Sequence, residues 1–542
     1  MQRGIWRQGS GTRCRYGLLV PLFLLLIPLL VRATPTAAQS RTQRLVFASA
    51  GFTESQRFWT IARPEHLQYD PCLETLLDVE PQSGAYTARL AERWQASPDL
   101  QEWTFFLRRG VQFHYGFGEF TARDVVHSHA LMLRPEATAT MVGIWREVEE
   151  LKVVNDYQIV FRLKRPMAIL PYAVSRAGDL RIVSKAQWDA EGLEGFEKRP
   201  AGTGSYRYVG RQTGVSLTYE RVEKHWQEQP DFQELEIRLV PEETTRFAML
   251  MSGEAQVADL PRELQKDAVK RGMKILSSSQ PVDWMTIYIG GQYYMPNDPK
   301  FQTEVPWTDI KVRQALNMAV NRQEILDTIF AGKGTLAYVS GWLPISEGWN
   351  PAWAQRFEPT YGYNPARARA LLQEAGYASG LKLRLLAFVN PGESEGPQVA
   401  EALGIYFKEV GIETEIEALD WAKVRDMFRN KVIHCCLWPN IISWRPVEDW
   451  IRVSYYSKGT GHNFEDAFIE QRYLTLTQTV NPEDRQRLTR EIGDHLFESF
   501  PDIPLIWFYN EVVVNPAVVA DWKYPGLGAG RSTHFHLLRA AR

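Results

Sequence analysis

The sequence predicts an α/β fold built from two or three compact units, and two observations support this. Segments rich in β-branched residues alternate with helical segments from Arg44 to the C-terminus, as in sheets covered by helices. The chain has 542 residues, whereas a single hydrophobic core rarely grows beyond about 250–300 residues. Loops rich in Gly, Pro and Asn near 195–205, 290–306 and 340–365 are candidate boundaries between these units.

Local signals mark where individual helices begin and end. A capping box formed by Thr121 and Asp124 predicts a helix start, and Asn364-Pro365 and Asn481-Pro482 each place a cap residue before a first-turn proline. Gly376 and Gly411 stand where a helix end favours a left-handed residue, and strand-like runs follow both. These signals extend the alternation of helix and strand through the second half of the chain.

The N-terminus predicts an export signal. Arginines precede an apolar run of 14 residues, Leu18 to Val31, which is shorter than the ~20 residues of a membrane span. Small residues from Ala33 to Ala38 suit cleavage after Ala38. Residues 1–38 are therefore predicted to be a cleaved signal peptide of a soluble periplasmic protein, with a retained anchor as the alternative.

The charge balance argues against nucleic acid as a partner. The net charge is −2 over the whole chain, and removal of residues 1–38 takes away five arginines and no acid, which leaves −7. A mildly acidic protein without a run of Lys or Arg has no basic stripe for a phosphate backbone.

Three cysteines follow the signal: Cys72, Cys435 and Cys436. Adjacent cysteines bridge each other only with strain, and residues 432–438 resemble an internal strand. The sequence therefore predicts three buried thiols, and a disulfide from Cys72 to one of the pair is the alternative in an oxidising compartment.

Motifs of catalysis and metal binding are missing from the sequence. No G-x-S-x-G, H-E-x-x-H or phosphate-binding glycine loop occurs. His127 and His129 lie in a predicted helix, where residues two apart point to nearly opposite faces. Acidic pairs such as Glu448-Asp449 are too common to identify an acid/base dyad. We therefore expect no catalytic residues, no metal site and no cofactor.

The aromatic residues of the sequence indicate a ligand-binding cleft. The chain has 18 Trp, and the stretch from Trp438 to Pro446 mixes Trp with Asn, Ser and Arg as it leaves the predicted strand. Aromatic walls with a few polar groups are typical of a cleft for a small organic ligand. Core packing is the alternative interpretation for any single Trp.

A set of short motifs is spread across nearly all of the mature chain. They are Ala91-Glu92-Arg93-Trp94, Asp99, Trp103 to His114, Phe120 to Val125, Gly202 to Tyr206, His225-Trp226, Leu250 to Glu254 with Asp259, Asp309 to Leu316, Asn321-Arg322, Tyr363-Asn364-Pro365, Glu374 to Tyr377, Gly411-Ile412 and Pro501 to Leu505. Each motif is weak alone, but together and in this order they resemble the family 5 extracellular solute-binding proteins, the dipeptide- and oligopeptide-binding components of ABC importers.

This resemblance implies a bilobal periplasmic-binding-protein fold with an extra small domain inserted in the first lobe. On that pattern, lobe I takes residues 41–80, 200–285 and 500–542, the inserted domain takes 81–199, and lobe II takes 286–499. The motif from Trp103 to Val125 then lies in the inserted domain, so we interpret it as structural.

One departure from the family pattern affects the ligand. Peptide-binding members place an aspartate after the buried strand of lobe II, where it pairs with the amino terminus of the peptide. Here the stretch from Ile441 to Pro446 contains no acid, and the next one is Glu448. A buried ammonium without a counter-charge would be costly. The sequence therefore favours a ligand that is blocked at its amino end, a ligand with a carboxylate facing Arg445, or a neutral ring compound that stacks on Trp.

The predicted function is a monomeric receptor, not an enzyme, that encloses a peptide-like or other small organic solute between its lobes and delivers it to an inner-membrane ABC transporter permease. A sensory or interaction protein on the same fold, and a hydrolase with paired carboxylates, are the alternatives. The predicted ligand-binding residues are Phe52, Trp342, Trp421, Trp438, Asn440, Ser443, Trp444 and Arg445.

Overall fold

The computed structural model describes residues 44–53, 55–60, 63–293, 305–388, 395–526 and 533–542. The predicted signal peptide and most of the predicted loop at 290–306 lie outside these ranges. Within them, no helix combines the length and the apolar character that a membrane crossing requires.

The strands are numbered in chain order. They are β1 (Arg44–Ser49), β2 (Leu77–Val79), β3 (Tyr86–Ala88), β4 (Ala91–Ala96), β5 (Glu102–Leu107), β6 (Val148–Asn155), β7 (Gln158–Leu163), β8 (Tyr206–Gln212), β9 (Ser216–Arg221), β10 (Glu234–Leu239), β11 (Val257–Ala258), β12 (Lys274–Ser277), β13 (Asp283–Ile289), β14 (Gly334–Leu336), β15 (Leu381–Ala387), β16 (Ile412–Ala418), β17 (Cys436–Ser443), β18 (Asp502–Phe508), β19 (Glu511–Val514), β20 (Val519–Trp522) and β21 (Leu538–Ala540).

Helices alternate with these strands. The α-helices are Ala122–Met132, Val142–Trp145, Leu170–Ala173, Lys185–Lys198, Glu243–Ser252, Arg262–Lys270, Ile310–Met318, Arg322–Thr328, Ala352–Tyr361, Pro365–Glu374, Glu395–Glu409, Trp421–Arg429, Val447–Ser454, Ala467–Leu476 and Pro482–Ser499. Short 3-10 helices are Phe58–Thr60, Arg63–Gln68, His114–Gly116, Pro306–Thr308 and Phe535–Leu537.

A seven-stranded sheet forms the centre of the first lobe, in the order β12-β19-β11-β1-β10-β9-β8. β1 is parallel to both of its neighbours, β10 and β11. Leu45 and Phe47 face one apolar cluster, and Val46 and Ala48 face another. Because β1 is covered on both sides, its sequence is a continuous apolar run and not an alternating one.

A separate four-stranded sheet, β4-β5-β7-β6, lies within the range predicted for the inserted domain. Phe105 and Leu107 on β5 are buried, which agrees with the structural interpretation of the motif from Trp103 to Val125. The helix Ala122–Met132 begins at the predicted capping box, where the Thr121 N–H donates to Asp124 Oδ2 at 2.8 Å. The predicted left-handed glycines are confirmed too, with φ of 91° at Gly376 and 88° at Gly411.

The second lobe is built on a six-stranded sheet in the order β14-β18-β13-β17-β15-β16. An apolar cluster lies on each side of it. Leu437 and Ile441 on β17 belong to one side, and Trp438 and Ile442 belong to the other. The alternation of the strand therefore assigns each predicted ligand residue on β17 to a definite face.

Two crossings connect the lobes, between β12 and β13 and between β18 and β19. They lie side by side, because the Ser278 N–H donates to the Asn510 carbonyl at 2.9 Å and the Asn510 N–H donates to Ser278 Oγ at 3.1 Å. The strand pairing places β18 in the second sheet, although the sequence prediction assigned residues from 500 onward to lobe I. The other predicted lobe boundaries stay a prediction.

The prediction of three buried thiols is wrong for two of them. Cys435 and Cys436 form a disulfide with each other, and Cys72 is a buried free thiol. The strand also begins later than predicted, at Cys436, and continues to Ser443. Its ladder with β15 covers only Cys436 and Leu437, so Pro439 can follow without the loss of a hydrogen bond on that side.

Candidate functional site

Strand β17 brings two of the predicted residues onto one face of the second sheet. Trp438 and Asn440 lie two residues apart and point to the same side, and Ser443 points to the opposite side. On β13, Tyr288 pairs with Trp438 and Thr286 pairs with Asn440. On β18, Asp502 pairs with Tyr288. A row of Trp438, Tyr288 and Asp502 therefore crosses the sheet.

Trp438 is enclosed by other aromatic rings. It is 1% exposed, stacks on Phe428 at a centroid distance of 6.3 Å and contacts Tyr288 at 5.3 Å. Phe428 in turn contacts the predicted residue Trp421 at 5.7 Å. Two of the predicted tryptophans are thus connected through a phenylalanine that the sequence analysis did not select.

Trp342 and Phe52 do not belong to the group of aromatic rings around Trp438. Trp342 is 1% exposed and makes an edge contact with Trp353 at 6.1 Å. Phe52 is half-buried and packs against the core of the first lobe. Neither has a ring contact with Trp438 among the described residues, so their proposed role in ligand binding stays a prediction.

Trp444 and Arg445 follow directly after β17, next to the crossing. The Trp444 N–H donates to the Val282 carbonyl at 2.8 Å, and the ring is half-buried. The Arg445 guanidinium approaches Asp449 Oδ2 at 3.3 Å and its side chain is 11% exposed. Arg445 Nε is buried and has no hydrogen-bond partner among the described residues.

The two acids of the helix that follows β17 are engaged by arginines. Glu448 accepts from Arg485 at 2.7 Å, and both side chains are buried. Asp449 accepts from Arg452 at 2.7 Å and from Arg445 at 3.3 Å. Both acids belong to the helix Val447–Ser454, whose packing fixes their directions. Neither is positioned as a ready replacement for the aspartate that peptide-binding family members use.

Two more polar atoms on this face lack partners. Within the described part of the chain, Trp438 Nε1 and Asn440 Oδ1 are buried and make no hydrogen bond. Buried polar atoms in folded proteins are nearly always paired with protein, water or ligand. Trp438 Nε1 and Arg445 Nε are N–H donors, and Asn440 Oδ1 is an acceptor.

A second basic element lies on the helix Trp421–Arg429. Arg425 and Arg429 are one turn apart, and the Nε atoms of both are buried without a hydrogen bond to any described residue. The pKa of Arg429 is lowered by burial and further by the positive charge of Arg425. Like charges at this spacing destabilise a helix, so an anion near them would be favourable.

A buried polar group in the same row, Asp502, was not among the residues predicted from the sequence. Asp502 Oδ1 accepts from Ser340 Oγ at 3.0 Å, and Oδ2 accepts from Asn463 Nδ2 at 2.7 Å. Burial raises the pKa of Asp502 to about 6. The motif Pro501-Asp502 was noted only as a family resemblance. Its role depends on pairing with β13, more than two hundred residues earlier in the chain.

The described residues contain no group of three or more His, Cys, Asp or Glu side chains arranged to hold a metal ion. The face is therefore a mixture of aromatic rings, amides and guanidinium groups. Such a surface can stack on and hydrogen-bond an organic solute.

Residues 85–461, well over half of the chain, match the family model described as "Bacterial extracellular solute-binding proteins, family 5 Middle". The chain belongs to this family. Membership confirms the bilobal α/β fold and the solute-binding role that the sequence predicts.

Individual relatives of this solute-binding protein have different ligands in their names. It is 27% identical over 417 residues to the dipeptide-binding protein of Escherichia coli (strain K12), covering 72% of this chain and 74% of the relative. It is 28% identical over 474 residues to heme-binding protein A of Haemophilus influenzae, covering 81% of each.

Among solved structures, the fold resembles the ABC transporter-associated periplasmic binding protein DppA of Helicobacter pylori in complex with the peptide STSA. The TM-score is 0.77 at 19% identity, covering 93% of this chain and 100% of that chain. A likeness at this identity shows the fold and leaves the ligand of this solute-binding protein to be argued from its own residues.

Proposed function

We propose that this protein is the periplasmic receptor of an ABC importer, that it acts as a monomer, and that its ligand carries a carboxylate and no free ammonium group. The predicted signal peptide supports export, and the family supports transport. The relatives' names include a dipeptide and heme, so membership alone does not define the ligand.

This proposal rests on the ion pairs that Glu448 and Asp449 each form with an arginine. Both acids of the helix that follows β17 are bound to arginines, so an ammonium that approached either of them would have to displace a guanidinium. An incoming carboxylate would instead find Arg445 Nε without a partner. A planar guanidinium binds carboxylates through parallel hydrogen bonds, and Trp444 beside it can stack on the rest of the solute.

A matched set of peptides tests the charge requirement. We expect N-acetyl-Ala-Ala to bind at least tenfold more tightly than Ala-Ala, because acetylation removes the ammonium and keeps the carboxylate. N-acetyl-Ala-Ala-amide, which lacks both charges, should bind weakly. Isothermal titration of ligand-free protein measures all three. Tight binding of Ala-Ala that disappears on acetylation would show that a carboxylate of the protein holds the amino end after all.

The role of Arg445 can be tested with a paired substitution. Arg445→Gln should weaken binding of N-acetyl-Ala-Ala by roughly 10–100-fold, since a hydrogen bond to a charged group contributes about 1.5–3 kcal/mol. Arg487→Gln is the control, because Arg487 is exposed and its ion pairs with described residues, Asp484 and Glu491, stay on its own helix. Equal affinities for the two variants would remove Arg445 from the site.

A further inference from the structure

Arg452 makes a contact between the second lobe and the inserted domain. It belongs to the helix Val447–Ser454 of the second lobe, and its Nη2 donates to the Thr140 carbonyl at 3.4 Å. A Cβ placed on Gly143, in the neighbouring short helix Val142–Trp145, would lie 3.6 Å from Arg452 Nη1. Both ends of the guanidinium therefore face the inserted domain.

Asp449 fixes the direction of this guanidinium. Its Oδ1 accepts from Arg452 Nε at 2.9 Å and from Nη2 at 2.7 Å. The Asp449 carboxylate is fully buried and Arg452 is 9% exposed. Two hydrogen bonds from one guanidinium edge to one carboxylate restrict its rotation, so Arg452 is held facing Thr140.

The other oxygen of Asp449 is shared with the proposed ligand residue. Arg445 Nη1 lies 3.3 Å from Oδ2, which is a longer contact than either bond to Arg452. An anion that binds Arg445 competes with Asp449 for that guanidinium. Asp449 then attracts Arg452 more strongly. Arg452 is thereby held in the orientation in which it contacts the inserted domain.

We propose that Asp449 and Arg452 form a relay that couples an anion bound at Arg445 to the contact between the second lobe and the inserted domain. The ligand link rests on the proposed function. Closure requires that the ligand interact differently with the open and closed forms, and this relay supplies such a difference through residues of one helix. Asp449 and Arg452 act as positioning residues that need not touch the solute.

Gly143 allows the contact to be blocked from the side of the inserted domain. Gly143→Ala places a methyl group at 3.6 Å from the guanidinium, an ordinary contact, whereas Gly143→Leu would crowd it. Gly143 is exposed and its φ is not in the left-handed region, so both variants should fold. We expect Gly143→Leu, but not Gly143→Ala, to increase the radius of gyration of the ligand-free protein in X-ray scattering.

The two Gly143 variants should also differ in their affinity for N-acetyl-Ala-Ala. Gly143→Leu should raise the Kd for N-acetyl-Ala-Ala about fivefold, with Gly143→Ala close to the wild type. In an Arg452→Ala background, Gly143→Leu should have no further effect on either measurement, because the group that it crowds is gone. A purely structural effect of the leucine would persist in that background and would overturn the relay.

Asp449→Asn tests the role of Asp449 in the proposed relay. It should increase the radius of gyration of the ligand-free protein as Gly143→Leu does, and it should reduce the compaction that N-acetyl-Ala-Ala causes. Unchanged scattering for both variants would refute the proposal. If N-acetyl-Ala-Ala binds no variant, including the wild type, the proposed ligand class is wrong, while scattering from ligand-free protein still decides whether Arg452 holds the lobes together.

Discussion

Replacing Trp438 with alanine should lower the free energy of unfolding by about 3–5 kcal/mol, the usual cost of truncating a buried aromatic residue. Trp438 is 1% exposed and lies between Phe428 and Tyr288, so the deletion would leave a cavity in the second lobe. Trp438→Phe keeps most of the ring contacts and should cost clearly less. Urea unfolding of the ligand-free variants measures both values.

Trp444→Ala provides the contrast. Its ring is half-buried at the end of β17, so we expect a stability loss well below that of Trp438→Ala. Binding of N-acetyl-Ala-Ala should weaken by about tenfold, since stacking on an aromatic platform contributes on the order of 1–3 kcal/mol. If Trp444→Ala destabilises the empty protein as much as Trp438→Ala does, Trp444 is a core residue and the proposed platform is wrong.

Asp502 should make the free energy of unfolding depend on pH. Burial raises the pKa of its carboxyl group to about 6, compared with about 3.9 in an unfolded chain. Between these values the unfolded carboxyl is ionised while the folded one keeps its proton. The free energy of unfolding therefore falls as pH rises from about 4 to about 6, and a penalty of roughly 3 kcal/mol is complete above that window.

Asp502→Asn should remove this slope and stabilise the protein near pH 7.5. The amide oxygen can still accept from Ser340 Oγ. The Asn463 amide, which now donates from Nδ2, can rotate so that its Oδ1 accepts from the new NH₂. Urea unfolding at pH 4.5 and 7.5 tests this, with exposed Asp521→Asn as the control. An identical slope in Asp502→Asn and in the wild type would contradict the assignment to Asp502.

The parts of this structure that the sequence predicts are those with local causes. The capping box of Thr121 and Asp124 and the glycines at 376 and 411 depend on neighbouring residues, and all are found as predicted. The family and its bilobal fold followed from motifs spread along the chain. None of these signals required knowledge of which strands pair.

The features that escaped prediction depend on distant pairing. The row of Trp438, Tyr288 and Asp502 exists because three strands that are far apart in sequence align in one register. The strand predicted at 432–438 begins later and continues to Ser443, and its ladder with β15 covers only Cys436 and Leu437. The engagement of Glu448 by Arg485 likewise joins two helices, and no pattern in either helix indicates it.

The pairing of Cys435 with Cys436 has a consequence for how freely the two halves of the receptor can separate. A bond from Cys72 to either of them would have tied the first lobe covalently to β17 in an oxidising compartment. The bond between sequence neighbours closes no long loop, so it restricts little of the chain's freedom. Among the described cysteines, none tethers one half to the other. Within the described part of the chain, oxidation of these cysteines therefore leaves non-covalent contacts and the two backbone crossings to limit how far the two halves separate.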